Sequence, residues 1–290
     1  MGHSSIDDVY EQVRKTLPAS AHDAPRTLAP VAPGIRVLAL KTPTLPPAAH
    51  TNVYVVGPDA DGPVYVVDPG SPYPDQQQIL VEALAGQPVA AVLLTHHHGD
   101  HVGGAAALGA PVWAHAATAR RLRVPIAREL ADGHTFDGIT CVFTPGHAEG
   151  HLCFETAGAT IAGDMVAGLG TILIDPDEGD MALYLASLQT LLARGTQLLL
   201  PAHGPAIADG PAKLREYIAH RMMREERIVA ALARGEASTD ELVASVYADT
   251  PRILWPLAER SLRAHLAKLV REHRAFEHVP GRWTSTGSSL

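Results

Sequence analysis

Leu94-Thr95-His96-His97-His98-Gly99-Asp100-His101 is the stretch on which the reading of this chain turns. It follows an apolar run, residues 89–94, and precedes a segment, 102–108, that the pattern predicts to be helical. The stretch therefore sits at the carboxyl end of a strand, where open α/β folds place ligands. Side chains alternate faces along a strand, so His96 and His98 point together and His97, read as structural, points away. His96, His98, Asp100 and His101 put four metal-binding side chains within six residues, on a turn that Gly99 loosens. A metal site accounts for that density better than a solvated polar turn.

Three further loops carry the same kind of residue. Thr144-Pro145-Gly146-His147 ends a strand expected at 139–144. Gly163-Asp164 ends a hairpin of strands at 151–156 and 159–162, and Pro201-Ala202-His203-Gly204 ends a strand at 197–200. A lone His or Asp in such a loop is usually a turn residue. Three of them at strand ends, beside the first cluster, would bring the donors to seven, enough for two metal ions in one site.

Composition sets the frame around that cluster. The chain has 290 residues, roughly two domains' worth, with 46% hydrophobic and 19% charged residues, which excludes a mainly disordered chain. No apolar run approaches the roughly 18–20 residues of a membrane span. Asp7, Asp8 and Glu11 are expected to exclude a secretory signal at the N-terminus. Sixteen histidines stand against two cysteines, and Cys141 and Cys153 read as buried thiols of a reducing compartment, the cytoplasm. Residues 1–212 hold 10 Lys+Arg against 21 Asp+Glu, whereas residues 213–290 hold 13 against 10. The acidic body argues against broad nonspecific nucleic-acid binding, which needs a basic surface.

Residues 1–34 read as a lead-in, with a short helix at 6–17 and then a Pro- and Ala-rich extended stretch. From residue 35 to 210, short apolar runs alternate with helical segments at 75–85 and 181–193, the signature of a layered α/β fold. After Pro211 the pattern is helical over 213–234, 239–247 and 256–273, and ends in a hairpin at 275–285 turning at Pro280-Gly281. That order is the order of a winged helix, so residues 211–290 read as a linker helix and a second domain. Arg260, Arg263, Lys268, Arg271 and Arg274 give its third helix a basic side, which reads as a solvated face or as a phosphate contact. Among the other histidines, His151 reads as a neighbour of the site or as core, His50 as a residue of its mouth, and the rest as ordinary polar positions.

His96-x-His98-x-Asp100-His101 followed by His147, Asp164 and His203 resembles the metallo-β-lactamase superfamily. Within it, Thr51-Asn52-Val53-Tyr54, Asp68-Pro69-Gly70, Gly170-Thr171 and Tyr217-Ile218-x-His220-Arg221 are similar to the lactamase-β-like protein 2 family. The resemblance implies an αββα sandwich over residues 35–210 followed by a small winged-helix domain. It implies two zinc ions per chain: His96, His98 and His147 on one, Asp100, His101 and His203 on the other, and Asp164 bridging. No cysteine falls at a ligand position, so penicillin hydrolysis is not expected.

The ligands lead to the chemistry. Two divalent ions sharing a carboxylate lower the pKa of a water between them and polarise the oxygen under attack. Asp100, which would also orient the nucleophile, and Asp164 are the catalytic candidates. Zn2+ is the expected metal, though Mn2+ or Fe2+ also suit His/Asp donors. The expected function is a hydrolase that uses the metal-bridging hydroxide to cleave an ester, thioester or lactone in a small-molecule substrate. The alternative implied by the family is an endoribonuclease acting on single-stranded RNA. A glyoxalase-II-like thioester hydrolase comes third, because that branch carries a helical glutathione-binding tail. A metal-stabilised nucleic-acid-binding protein is disfavoured, since structural zinc sites are usually closed and four-coordinate. No membrane partner is expected, and a homodimer fits the same reading. No Gly-x-Ser-x-Gly elbow and no phosphate-binding Gly-x4-Gly-Lys loop occur.

Overall fold

The computed structural model describes residues 6–18 and 25–286. After α1 (Ile6–Thr16) the chain enters a seven-stranded sheet, in the order β1 (Ala29–Ala32), β2 (Ile35–Lys41), β3 (His50–Val56), β4 (Val64–Val67), β5 (Val89–Leu93), β6 (Val112–His115) and β7 (Ile126–Leu130). The first four strands pair antiparallel, and β4 to β7 run parallel. A five-stranded sheet follows, comprising β8 (Thr135–Phe136), β9 (Ile139–Phe143), β10 (Leu152–Thr156), β11 (Ala159–Gly163) and β12 (Leu198–Pro201).

The alternation within strands explains how the layers meet. Val37, Tyr54, Val67 and Leu93 face the second sheet, where they pack against Ile139, Cys141, Phe154 and Ile161. Their neighbours Leu38, Val53, Val66 and Leu40 face the other way and are covered by Leu80 and Leu84 of α2 (Pro74–Leu84). Strands buried on both faces need continuous apolar runs, as β4, β5 and residues 53–56 of β3 have. Beyond β5 come two one-turn helices, α3 (Gly99–Val102) and α4 (Ala116–Ala119). The outer face of the second sheet is covered by α5 (Met181–Arg194) and α6 (Gly210–Leu232), through Tyr184, Leu188, Leu214 and Tyr217. The two sheets and their helices thus form an αββα sandwich.

Residues 102–108 do not form the single helix expected from sequence; α3 ends at Val102 and a separate 3-10 turn spans Ala105–Leu108. The break lies at Gly103-Gly104, which press onto the neighbouring backbone: a Cβ on Gly104 would lie 2.3 Å from the Pro69 carbonyl oxygen. Within the stretch read as an extended lead-in, residues 29–32 form an edge strand on β2.

The C-terminal unit comprises β13 (Ala237–Ser238), α7 (Thr239–Val246), α8 (Trp255–Arg271), β14 (Ala275–Val279) and β15 (Arg282–Ser285), with a sheet in the order β13-β15-β14. Ser238 and Glu241 form a reciprocal capping box that starts α7. Leu242, Val246, Leu262, Leu266 and Trp283 make its core together with Ile228 of α6, and half-buried Trp255 packs against them. The basic side of α8 is partly solvated, with Arg271 and the following Arg274 exposed and Arg260 and Lys268 largely covered, and each of its cations is paired with a carboxylate. Arg260 binds Asp175 and Asp177, Arg263 binds Glu259, Arg271 binds Asp180, and Lys268 and Arg274 share Glu225 and Glu272. Among the described residues, no helix is long and apolar enough to cross a membrane.

Candidate metal centre

The seven residues singled out in the sequence meet at one end of the sandwich. His96 and His98 leave β5, Asp100 and His101 lie on α3, His147 follows β9, Asp164 follows β11 and His203 follows β12. His96 Nε2 and His147 Nε2 each lie 3.0 Å from His98 Nδ1. Asp100, His101 and His203 form a second group, with His203 Nε2 3.6 Å from Asp100 Oδ2. Asp164 stands between them: Oδ1 lies 3.4 Å from His203 Nε2 and 3.6 Å from His101 Nε2, while Oδ2 lies 3.5 Å from His147 Nε2.

The outward nitrogen of each ring decides which nitrogen faces in; the tautomers follow from the hydrogen-bond network. Thr95 Oγ1 donates to Asp68 Oδ2 and so accepts from His96 Nδ1 at 2.9 Å. His101 Nδ1 donates to Asp68 Oδ2 at 2.9 Å, His147 Nδ1 to the Leu173 carbonyl at 2.9 Å, and His203 Nδ1 to the His50 carbonyl at 3.0 Å. His98 is reversed: its Nε2 faces Glu178 Oε2 at 3.0 Å, which leaves Nδ1 for the site. The inward nitrogens of five imidazoles therefore converge with two carboxylates.

That arrangement fits metal ions and fits protons poorly. His101 Nε2 and Asp164 Oδ1 are buried with no hydrogen-bond partner, a costly state unless a cation occupies the space between them. Burial, and then the facing His98, pushes His147 down to about 4. Burial and the facing His101, His98 and His147 hold His96 well below the usual histidine range. Burial opposes charge on Asp164, yet His203, His101 and His147 hold its carboxyl well below the carboxylate range. Burial opposes charge on His101, yet Asp164, Asp100 and Asp68 hold it well above the usual histidine range, so a cation entering the site would take the place of that ring's proton.

Around the seven stand two residues with no role assigned from sequence, Asp68, noted there only within Asp68-Pro69-Gly70, and Glu178. Asp68 takes hydrogen bonds from the Thr95 backbone, the Thr95 hydroxyl and His101, and its φ is +49°. The following Gly70 packs on α3 so closely that a Cβ would lie 1.7 Å from the Asp100 carbonyl oxygen. Glu178 holds His98, also faces His97 at 3.6 Å, and is paired with Arg121 at 3.3 Å. His97 lies outside the seven, its Nε2 buried and directed at Glu178. His151, read as neighbour or core, accepts the Asp164 N–H at its Nε2 and bonds Thr144 through Nδ1. His50 contributes its carbonyl to His203. His115 caps α4 and stacks on Phe143, and His134 accepts from the Ala131 N–H. His3 and His22 lie outside the described residues.

A family model described as the metallo-beta-lactamase superfamily matches residues 46–138, and one described as the beta-lactamase associated winged helix domain matches residues 238–283. Lactamase-like protein vrtG of Penicillium aethiopicum is 31% identical over 266 residues, spanning 79% of this chain and 82% of that protein. The chain belongs to the metallo-beta-lactamase superfamily. It is a hydrolase of that superfamily with a C-terminal winged helix. It is also similar to the atrochrysone carboxyl ACP thioesterase of Aspergillus chevalieri, 32% identical over 262 residues, 83% of either chain. A beta-lactamase domain protein from Burkholderia ambifaria has the same fold, with a TM-score of 0.76 and 22% identity across 94% of this chain and 96% of that one. A metallo-beta-lactamase family protein from Thermus thermophilus gives a TM-score of 0.72 at 24% identity, over 87% of this chain and 99% of that one.

Proposed function

We propose that this hydrolase holds two divalent metal ions, zinc foremost, and cleaves a carbonyl ester, thioester or lactone in a small-molecule substrate, a thioester first of all. The observation that carries the reading is the position of Asp164, with one carboxylate oxygen towards His147 and the other towards His101 and His203. His96, His98 and His147 would hold one ion and Asp100, His101 and His203 the other, with Asp164 shared. Such a pair, when bound, supplies a water acidic enough to ionise near neutral pH and a Lewis acid for the carbonyl oxygen.

The chain's own groups do the rest. Asp100, partly open to solvent, accepts a hydrogen bond from the attacking water and directs its lone pair at the carbonyl carbon. Asp68 and Glu178 keep His101 and His98 in the ring orientations the site needs. The thioester preference rests on the thioesterase named among the relatives. Single-stranded RNA is the weaker substrate on this reading, because the basic residues of α8 are already engaged with carboxylates. The catalytic unit spans 35–210, and 211–290 form the linker helix and winged helix.

A turnover panel on zinc-loaded protein separates the readings, using an acyl thioester, a lactone, a simple ester, a β-lactam and single-stranded RNA. Thioester cleavage well above every other substrate is expected. RNA cleavage exceeding all carbonyl substrates would reverse the preference.

A further inference from the structure

The segment Asp175-Pro176-Asp177-Glu178-Gly179-Asp180 joins the metal centre to the winged helix. Three of its carboxylates face α8. Asp175 takes both Arg260 Nε and Nη2, the latter at 2.8 Å, and Asp177 also binds Nη2. Asp180 takes both terminal nitrogens of Arg271, Nη2 at 2.9 Å, while its Oδ1 caps the first turn of α5. The fourth carboxylate, Glu178, faces the opposite way, onto His98 at 3.0 Å.

The same segment is pinned to the other side of the first metal group. Asp180 N–H donates to the Gly146 carbonyl at 2.8 Å, one residue before His147. Leu173, two residues before the segment, supplies the carbonyl that holds His147 Nδ1 at 2.9 Å. Gly179 lies so close to this turn that a Cβ would come within 2.6 Å of the Gly146 oxygen, so the backbone there has little room to shift. Two of the three histidines of one group thus take their orientation from residues 173–180, and the outer side of that stretch is held by two forked arginine contacts. A guanidinium on a carboxylate fixes direction as well as distance, which a lysine at the same place would not.

We propose that the winged helix is a positioning module for the metal centre: Arg260 and Arg271 hold the 175–180 segment, and Glu178 on that segment sets the ring of His98. The clamp on Arg260 is the more buried, with 18% of that side chain exposed against 53% for Arg271, so it holds the segment more firmly. Neither arginine touches the donors, so both are positioning residues acting through Glu178. The proposal rests on the reading of the seven residues as metal ligands.

The test is zinc affinity, measured by chelator competition on the full-length chain, with the ligand-field absorption of the cobalt-loaded protein as a second readout. Arg260→Gln is expected to weaken one of the two zinc-binding steps roughly tenfold and to alter the cobalt spectrum, and Arg271→Gln to do so less. Combined with Glu178→Gln, Arg260→Gln should add almost nothing, because both act on the same ring. Arg282→Gln, which breaks an exposed pair with Glu236 in the wing, should leave both steps unchanged. If Arg260→Gln does not fold, Arg260→Lys and Arg271→Gln carry the same comparison. A lowered Tm with both zinc steps and the cobalt spectrum intact would overturn the proposal, as would losses that add in full to those of Glu178→Gln. Wild-type protein that takes up no zinc at all would instead sink the metal reading on which it rests.

Discussion

Asp68 shows how much of the site rests on residues that touch no metal donor's inward face. It has left-handed backbone, accepts three hydrogen bonds and leaves His101 only its Nε2 for the site. Asp68→Ala should therefore weaken zinc binding by about 10–100-fold while the fold survives, read by chelator competition alongside circular dichroism; unchanged affinity would mean that the ring orients itself. Gly70→Ala should act through the fold instead, since the added methyl would overlap the Asp100 backbone, and a markedly lowered Tm is the expected result. The seven candidate ligands were legible because each lies on a loop after a strand or, for Asp100 and His101, on the one-turn helix that follows it, where residue type and spacing carry the message. Glu178 was not: its partner lies 80 residues earlier in the chain, and in sequence it is one acid among four.

At the level of elements, the strands that line both faces of the sandwich were visible as apolar runs, while β7, β8 and β13 were not. β7 has three exposed residues in its centre, including Arg128 and Glu129, so an edge strand of this kind shows no alternation to read. α3 and the turn after it departed from the expected single helix because backbone contact at Gly103-Gly104 outweighs local propensity. α7 follows its local rules, and Ser238→Ala should cost about 1 kcal/mol through loss of the capping box. Denaturant unfolding of the full chain measures it, and a change below a few tenths would show that packing alone holds the helix.

At the scale of the whole molecule, the charge split along the sequence became an interface. Arg260 and Arg271 of the basic C-terminal part meet the acids of the 175–180 segment, while Lys268 and Arg274 close on Glu225 of α6 within the same part. Glu225 is 1% exposed; burial opposes its charge, but contacts with His265, Lys268 and Arg274 bring it down from the usual 4.5 to about 2. A carboxylate lowered on folding stabilises the native state above its unfolded value and loses that contribution as pH falls towards the folded one. Stability should therefore decline between about pH 4.5 and pH 2, and Glu225→Gln should remove part of that slope while costing about 3 kcal/mol at neutral pH. Unfolding curves across that range check both, and an unaltered slope would assign the decline to other acids. The central claim is that Asp164 ties two ions into one hydrolytic centre. It is tested most directly by titrating metal-free protein with zinc while following thioester turnover. Turnover should rise to its plateau at two zinc equivalents in the wild type and stay at background in Asp164→Ala; full activity at one equivalent, or in that variant, would contradict the account.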